Sequence, residues 1–264
     1  VFASTRSLNE HKKRKYPCKE INKDVTLKNT INVDSQLDEV ITGDVHFDEL
    51  EKFNIGDMFK DKQEAIAVII AGSRQSGKTT FINYIYPNLI EFYDIVIFFS
   101  YSLHNPIYEN IQEPKFDKFI PDLMKDIFYF QKKTKNKFSI MVVLDDCMDN
   151  EIKNDDQLNY IFTRGRNSNI SVIFSVQYMS MVKNLSRSNS TFIFFGKSNT
   201  PSNRLVLAED YLYPIVKVDS SIKTKTKKLD YLDAYIQHHT QDHNFIVIDY
   251  MKPKEEIYNF KVPL

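Results

Sequence analysis

Long apolar runs are missing from this 264-residue chain. None approaches the ~18 residues a membrane-spanning helix needs, so no transmembrane segment is expected. The opening Val1-Phe2-Ala3-Ser4-Thr5-Arg6 also lacks the extended apolar core of a secretory signal. Cysteine is scarce. Cys18 and Cys147 fall in no metal-binding or redox spacing, which argues for two free thiols in a reducing compartment. Excess charge of either sign is absent too, since Lys+Arg and Asp+Glu both number 35. That balance speaks against a protein that coats nucleic acid by bulk charge, and leaves local basic surfaces open. Glycine numbers only six, and two of these fall in one short loop. What is present is ample core material, 42% hydrophobic and 13% aromatic residues, so a soluble, intracellular globular protein is expected.

The short loop is Gly72-Ser73-Arg74-Gln75-Ser76-Gly77-Lys78-Thr79, followed by Thr80. It matches G-x-x-x-x-G-K-[ST] and directly follows the apolar run Ala65–Ala71, the strand-loop-helix setting that gives the pattern its meaning. Gly72 and Gly77 are expected to let the backbone turn tightly, so that successive N–H groups form an anion nest. The helix beginning near Lys78 adds the positive end of its dipole. Lys78 would reach the β- and γ-phosphates, and the Thr79 hydroxyl would ligand magnesium. These features predict a nucleoside triphosphate site.

Residues 1–60 read as an N-terminal arm or small subdomain, with the basic run His11-Lys12-Lys13-Arg14-Lys15 and short β-like pieces such as Asn29–Val33. Such a run is ordinarily a solvated tail, with nucleic-acid contact or targeting as the alternative. From about residue 61 the pattern alternates strand and helix, and 61–264 is expected to form the P-loop domain that carries the nucleotide site. This predicts an α/β fold with a mainly parallel central sheet flanked by helices. Strands are expected at Ala65–Ala71, Ile95–Ser100, Ile140–Leu144, Ile170–Val176 and Thr191–Phe195, with Phe245–Asp249 as a late edge strand. Helices are expected over Lys78–Tyr86, Phe116 to about Lys133, and Asp155–Thr163.

Asp145-Asp146 ends the Ile140–Leu144 strand, at the carboxyl edge where ligands collect in parallel sheets. A nucleotide–magnesium site needs one carboxylate for the metal's water shell and a second group beside the γ-phosphate. Asp145 is assigned to magnesium, partly through water, and Asp146 to the attacking water. Gln177, at the tip of the next strand, could touch the γ-phosphate and report nucleotide state. Arg164 and Arg166, in the turn Thr163–Asn169, are candidates for an arginine finger from a neighbouring subunit, in a loop expected near the active-site edge. Arg187 is a second candidate.

The strand Ile95–Ser100 lies between the phosphate loop and the acidic pair, an insertion that resembles the additional-strand division of P-loop NTPases, which contains the RecA-like motors. A GTPase would need an Asn-Lys-x-Asp reader after the later strands, and the nearest text, Asn22-Lys23-Asp24-Val25, has the wrong spacing and position.

Ala71–Thr80, Val142–Cys147 and the run Phe162–Gln177 together resemble the virion DNA-packaging ATPases of poxviruses and other large DNA viruses, within the FtsK–HerA superfamily of ring-forming DNA pumps. The resemblance covers roughly residues 64 to 200. It implies a RecA-like ATPase core, ATP and Mg2+ as cofactors, and double-stranded DNA as substrate. It also implies a homo-oligomeric ring, pentameric or hexameric, and capsid or inner-membrane packaging-site proteins as partners. The implied location is the host cytoplasm at virus factories, or the virion. Lys78 and Thr79 then match the phosphate-loop pair, Asp145 and Asp146 the acidic pair, Gln177 the sensor, and Arg164 and Arg166 the basic turn. Relatives often carry His where this chain has Asn167.

Two lysine-rich stretches, Lys132–Lys137 and Lys223-Thr224-Lys225-Thr226-Lys227-Lys228, read as basic loops. They are either solvated or face a pore that grips phosphate, with Lys223, Lys225, Lys227 and Lys228 the DNA-contact candidates. His238–His243 reads as a polar turn before the final strand. The competing functions are another DNA pump or a helicase and, in a different class, a non-motor nucleotide switch or kinase.

Overall fold

A computed structural model describes residues 47–60, 64–147, 150–218, 222–252 and 256–263, with the side chains of 150 and 151 left aside. The chain divides into two units, Val1–Phe47 and Asp48–Leu264. Cys18, the basic run at 11–15 and the β-like piece at 29–33 lie outside the described residues.

The second unit is built on one eight-stranded sheet. In chain order it contains β1 (Ala67–Ala71), α1 (Lys78–Phe92), β2 (Ile95–Ser100), β3 (Lys115–Phe116), α2 (Pro121–Thr134) and β4 (Ile140–Asp145). Then come α3 (Asn150–Asn154), α4 (Asp156–Arg164), β5 (Ile170–Val176), α5 (Asn184–Ser188), β6 (Phe192–Phe195) and α6 (Pro201–Leu207), which runs on as a π-helical turn over Ala208–Leu212. The last elements are α7 (Lys225–His239), β7 (Asn244–Asp249) and β8 (Glu256–Lys261). The strand order is β3-β2-β4-β5-β1-β6-β7-β8. The first six are parallel, and β7 and β8 are antiparallel.

Parallel strands are covered on both faces, which explains why β1, β4 and β5 are buried at every position and read as unbroken apolar runs. On one face Phe81, Ile82, Ile85 and Leu89 of α1 pack with Phe98, Phe194 and Phe245. Phe81 lies 4.7 Å from Phe194, centroid to centroid. Phe53 enters the same cluster edge-on to Phe194 at 5.5 Å and to Tyr258 at 5.7 Å. Burying a phenylalanine of this kind contributes about 1.5–3 kcal/mol.

Several boundaries differ from the sequence expectation, each for a local reason. β1 begins at Ala67, the first residue in register with β5; just before it the Ile66 N–H donates to the Ser171 hydroxyl at 3.0 Å. α1 continues past Pro87 to Phe92, since Leu89 is fully buried and the packing outweighs the missing hydrogen bond. Phe116 belongs to β3 and stacks on Phe99, and α2 starts at Pro121, whose fixed φ suits the first helical position. β7 is not an edge strand: β8, with Tyr258 and Phe260 turned inward, covers it. The stretch read as a basic loop at 223–228 is mostly helix. Thr224 caps α7 by accepting the Lys227 N–H at 3.3 Å, and Lys225, Lys227 and Lys228 sit in the first turn. Likewise His238 and His239 form the last turn of α7, so only the end of that run is a turn.

The sheet order also corrects the insertion argument. Ile95–Ser100 precedes the acidic strand in sequence but lies on its far side in the sheet. The strand that separates β1 from β4 in space is β5.

Candidate functional site

Register assembles the site. Ala71 pairs with Val176, and Asp145 pairs with Ser175, so the chain leaves β1, β5 and β4 at the same edge. Gly72, Gln177 and Asp146 are the first residues past those ends. Gln177 and Asp146 line a cleft of about 350 Å³ with Arg74, Gln75, Lys78, Thr79, Ser102, Asn105, Tyr108 and Asp145.

The two loop glycines serve different purposes. Gly77 has φ 94° and caps α1, a left-handed conformation that side chains other than Gly rarely adopt. Gly72 is not left-handed; its need is space, because a Cβ there would lie 2.5 Å from the Ser76 hydroxyl. Gln75 supplies the other left-handed residue, at φ 62°. The loop is pinned to the chain beyond β6 by the Ser73 N–H to the Lys197 carbonyl at 2.8 Å and the Asn199 N–H to the Ser73 hydroxyl at 2.9 Å. Lys78 is buried, and its ammonium donates to the Gly72 and Ser73 carbonyls at 2.7 and 3.0 Å. One of its three N–H groups is left to reach a ligand. Burial pulls its pKa below the ordinary lysine value, while Asp145 and Asp146 oppose that shift.

On the facing wall Asp145 is 1% exposed, and its Oδ1 has no hydrogen-bond partner among the described residues. Its Oδ2 accepts the Tyr108 phenol, which in turn accepts the Ser100 hydroxyl at 3.1 Å. Burial first, and the Asp145 carboxylate second, hold the Tyr108 phenol protonated far above its usual range. Asp146 is exposed in a left-handed conformation, φ 52°, and accepts the Gln177 amide at 3.2 Å. The two side chains expected beside the γ-phosphate therefore touch each other. Cys147 is fully buried, and burial pushes its thiol up to about 12, so it is no nucleophile.

Tyr108 has no counterpart in the sequence reading. It lies 37 residues from Asp145, in a one-turn helix Pro106–Tyr108, and nothing local marks it. The nearest signal was Asn105-Pro106, a turn start just past β2.

The arginines lie elsewhere. Arg164 and Arg166 precede β5, whose seven residues carry the chain away from them toward the cleft. At ~3.3 Å per residue that is roughly 20 Å. The turn expected near the active-site edge is thus at the opposite edge of its own sheet, because parallel strands place their leading loops there. Gln131, fully buried, holds this turn by donating to the Ser168 carbonyl at 2.8 Å and the Asn169 carbonyl at 3.2 Å. Arg187 is 11% exposed and pairs with Asp210 at 3.3 Å. Of the lysine candidates, Lys223, Lys225 and Lys227 are exposed; Lys225 pairs with Glu209 at 2.9 Å, and Lys228 stands over the Tyr213 ring.

The sequence of residues 51–209 matches the family described as Poxvirus A32 protein. The chain belongs to that family. The matched span includes the phosphate loop, Asp145, Asp146, Gln177 and all three arginines, and it ends before α7, so this A32-family match does not reach the Lys223–Lys228 candidates. A relative, the uncharacterized protein 015R of Frog virus 3 (isolate Goorha), is 28% identical over 165 residues. That alignment takes in 56% of this chain and 51% of the relative, so the A32-family chain here matches about half of that protein's length. Among solved structures, the genome packaging NTPase B204 from Sulfolobus turreted icosahedral virus 2 shares the fold. In complex with ATP-gammaS it superposes with a TM-score of 0.52 at 12% identity, over 75% of this chain and 98% of that one. With sulfate the values are 0.53 and 12%, over 76% and 98%.

Proposed function

We propose that this chain is an ATP-hydrolysing motor that drives double-stranded viral genomic DNA into preformed capsids. The observation that carries the proposal is the convergence of Lys78, Thr79, Asp145, Asp146 and Gln177 on one cleft in a chain of the poxvirus A32 family. The fold shared with a viral genome packaging NTPase agrees with it.

In this reading the N–H groups of the loop from Gly72 to Thr80 cradle the phosphates, and the remaining Lys78 N–H donates to them. Among the described residues no three His, Cys, Asp or Glu side chains cluster closely enough to hold a metal ion alone. The buried, unpartnered Oδ1 of Asp145, close to Thr79 in the cleft, fits a magnesium ion that completes its shell with water and phosphate. Bound there, the ion would neutralise charge on the β- and γ-phosphates. A water oxygen attacks the γ-phosphorus, the bond to the β–γ bridging oxygen breaks, and Asp146 accepts the water's proton. Gln177, bonded to Asp146, orients that water and reports its loss to β5.

At roughly 20 Å, Arg164 and Arg166 can serve only a neighbouring subunit's cleft, in a homo-oligomeric ring of pentameric or hexameric form. Arg187 would have to leave Asp210 to do so, which makes it the weaker candidate. Lys223, Lys225 and Lys227 are the exposed residues for phosphate-backbone contact, with the half-buried Lys228 beside them. Capsid or inner-membrane packaging-site proteins would receive the ring at virus factories or in the virion. Among the described residues no helix is long and apolar enough to cross a membrane.

The test is ATP hydrolysis with and without duplex DNA. The rate should rise with DNA, and an unchanged rate refutes a motor. Asp146→Asn should still bind ATP and lose about 100-fold or more in kcat; normal turnover removes Asp146 as the base.

A further inference from the structure

We infer that Tyr108 is a positioning residue that fixes the Asp145 carboxylate for the magnesium–nucleotide complex. The inference rests on the reading of the cleft as a magnesium–nucleotide site.

Asp145 is held from one side only. Its Oδ2 accepts the Tyr108 O–H, and no other side chain among the described residues bonds either oxygen. The phenol is itself fixed. It accepts the Ser100 hydroxyl at 3.1 Å, and Ser100 is the residue of β2 directly opposite Asp145 in the ladder. Ser100 is oriented by the Ser102 N–H at 3.1 Å. The backbone under Tyr108 is equally tied down. Asn105 caps the turn by accepting the Ile107 N–H at 3.1 Å, and Lys115 donates to the Tyr108 and Ile111 carbonyls at 3.0 and 2.7 Å. Thr79 lines the same cleft as Tyr108 and Asp145. Tyr108 touches the carboxylate assigned to the ion and is 2% exposed.

A carboxylate with one oxygen held by a rigid donor presents the other in a fixed direction, and it has less freedom to lose when a cation arrives. Partners of this kind, which orient a metal ligand without touching the metal, change metal affinity by about 10–100-fold when removed. Tyr108→Phe deletes the donor and keeps the buried ring.

The experiment titrates a fluorescent ATP analogue into the full chain, first in EDTA and then over a MgCl2 series. Electron paramagnetic resonance of Mn2+ bound with ADP provides a second readout, independent of turnover. For Tyr108→Phe, nucleotide affinity in EDTA should stay within about twofold of the parent. The Mg2+ concentration for half-maximal tightening should rise about tenfold, and Mn2+ affinity should fall to match. Ser100→Ala, which frees the phenol without touching it, should shift the same quantities in the same direction by a smaller factor. An unchanged Mg2+ dependence in both variants overturns the inference. So does an equal loss with and without metal, which would mark Tyr108 as a packing residue. If the parent itself fails to bind nucleotide in either medium, the reading of the cleft falls and the inference falls with it. That outcome is distinct from a binding parent with an indifferent variant.

Discussion

The two loop glycines should respond oppositely to second-site relief, because one is constrained by torsion and the other by space. Gly77 sits at φ 94°, where an alanine costs about 1–2 kcal/mol from its own Cβ against its own backbone. The nearest outside atom, His243 Nδ1, would be 3.3 Å from that Cβ, a contact a ring can yield by a few tenths of an ångström. Gly72 is not left-handed, yet its Cβ would lie 2.5 Å from Ser76 Oγ and 3.1 Å from Ser76 Cβ. That is an overpacking cost, about 1–3 kcal/mol in a buried loop. In a unit of this size each kcal/mol moves Tm by about 2–4 °C, so Gly77→Ala should lower Tm by about 2–8 °C. Gly72→Ala should fall in a similar range. The assay is thermal and urea unfolding of two double-mutant cycles in the absence of nucleotide. Ser76→Gly removes both clashing atoms and should recover at least about 1 kcal/mol of the Gly72→Ala loss. His243→Ala removes the ring atoms nearest that Cβ yet should leave Gly77→Ala additive to within about 0.5 kcal/mol. Rescue of Gly77→Ala by His243→Ala, or failure of Ser76→Gly to rescue Gly72→Ala, would refute the assignment of torsion to one glycine and space to the other.

Two further outcomes concern stability away from the cleft. Gln131→Leu leaves the Phe138, Ser168 and Asn169 carbonyls without the amide that now serves all three, and should cost about 2–4 kcal/mol in urea unfolding; a loss below about 1 kcal/mol would show that the arginine turn does not depend on it. His239 is buried, and burial first and His238 second lower its pKa from 6.5 to about 4, so the folded state resists protonation that the unfolded state accepts. Stability should therefore fall as pH drops from about 6.5 to about 4, by at most about 3 kcal/mol and by about 1–2 after solvent screening. His239→Gln should flatten the urea midpoint against pH over that window, and an unchanged slope would exclude His239 as its source.

The strands were legible because a parallel sheet buries both faces, so Ile95–Ser100 and Ile170–Val176 stand in the sequence with their observed limits. Where one face is wet the signal weakened. β8 is exposed at both ends and alternates half-buried and buried positions between them, too weak a signal for the sequence to reveal, so β7 reads as an edge. α7 was hidden by composition. Its first turn is lysine and threonine, and its buried residues, Leu232, Tyr235, Ile236 and His239, come only from its second half. The arginine turn lies at the edge opposite the one expected, because chain order says which strand a loop precedes, not which edge of the sheet it occupies.

The site itself divides along the same line. Its loop wall is built from consecutive residues: Gly77 answers to its own torsion, Gly72 to Ser76, and Lys78 to the Gly72 and Ser73 carbonyls. A wall of that kind can be written as a spacing rule, and so it was found. The acidic wall is built across strands. Asp145 is oriented from Ser100 and Tyr108, and Asp146 is bonded to Gln177, 31 positions on. No spacing rule contains those pairs, because each is fixed by the register of β2, β4 and β5 and by the loop after β2. A sequence motif therefore identifies the loop wall, and strand ends point to Asp145, Asp146 and Gln177 one by one. How those side chains are held must be read from the sheet, and there a tyrosine with no motif of its own stands against the Asp145 carboxylate.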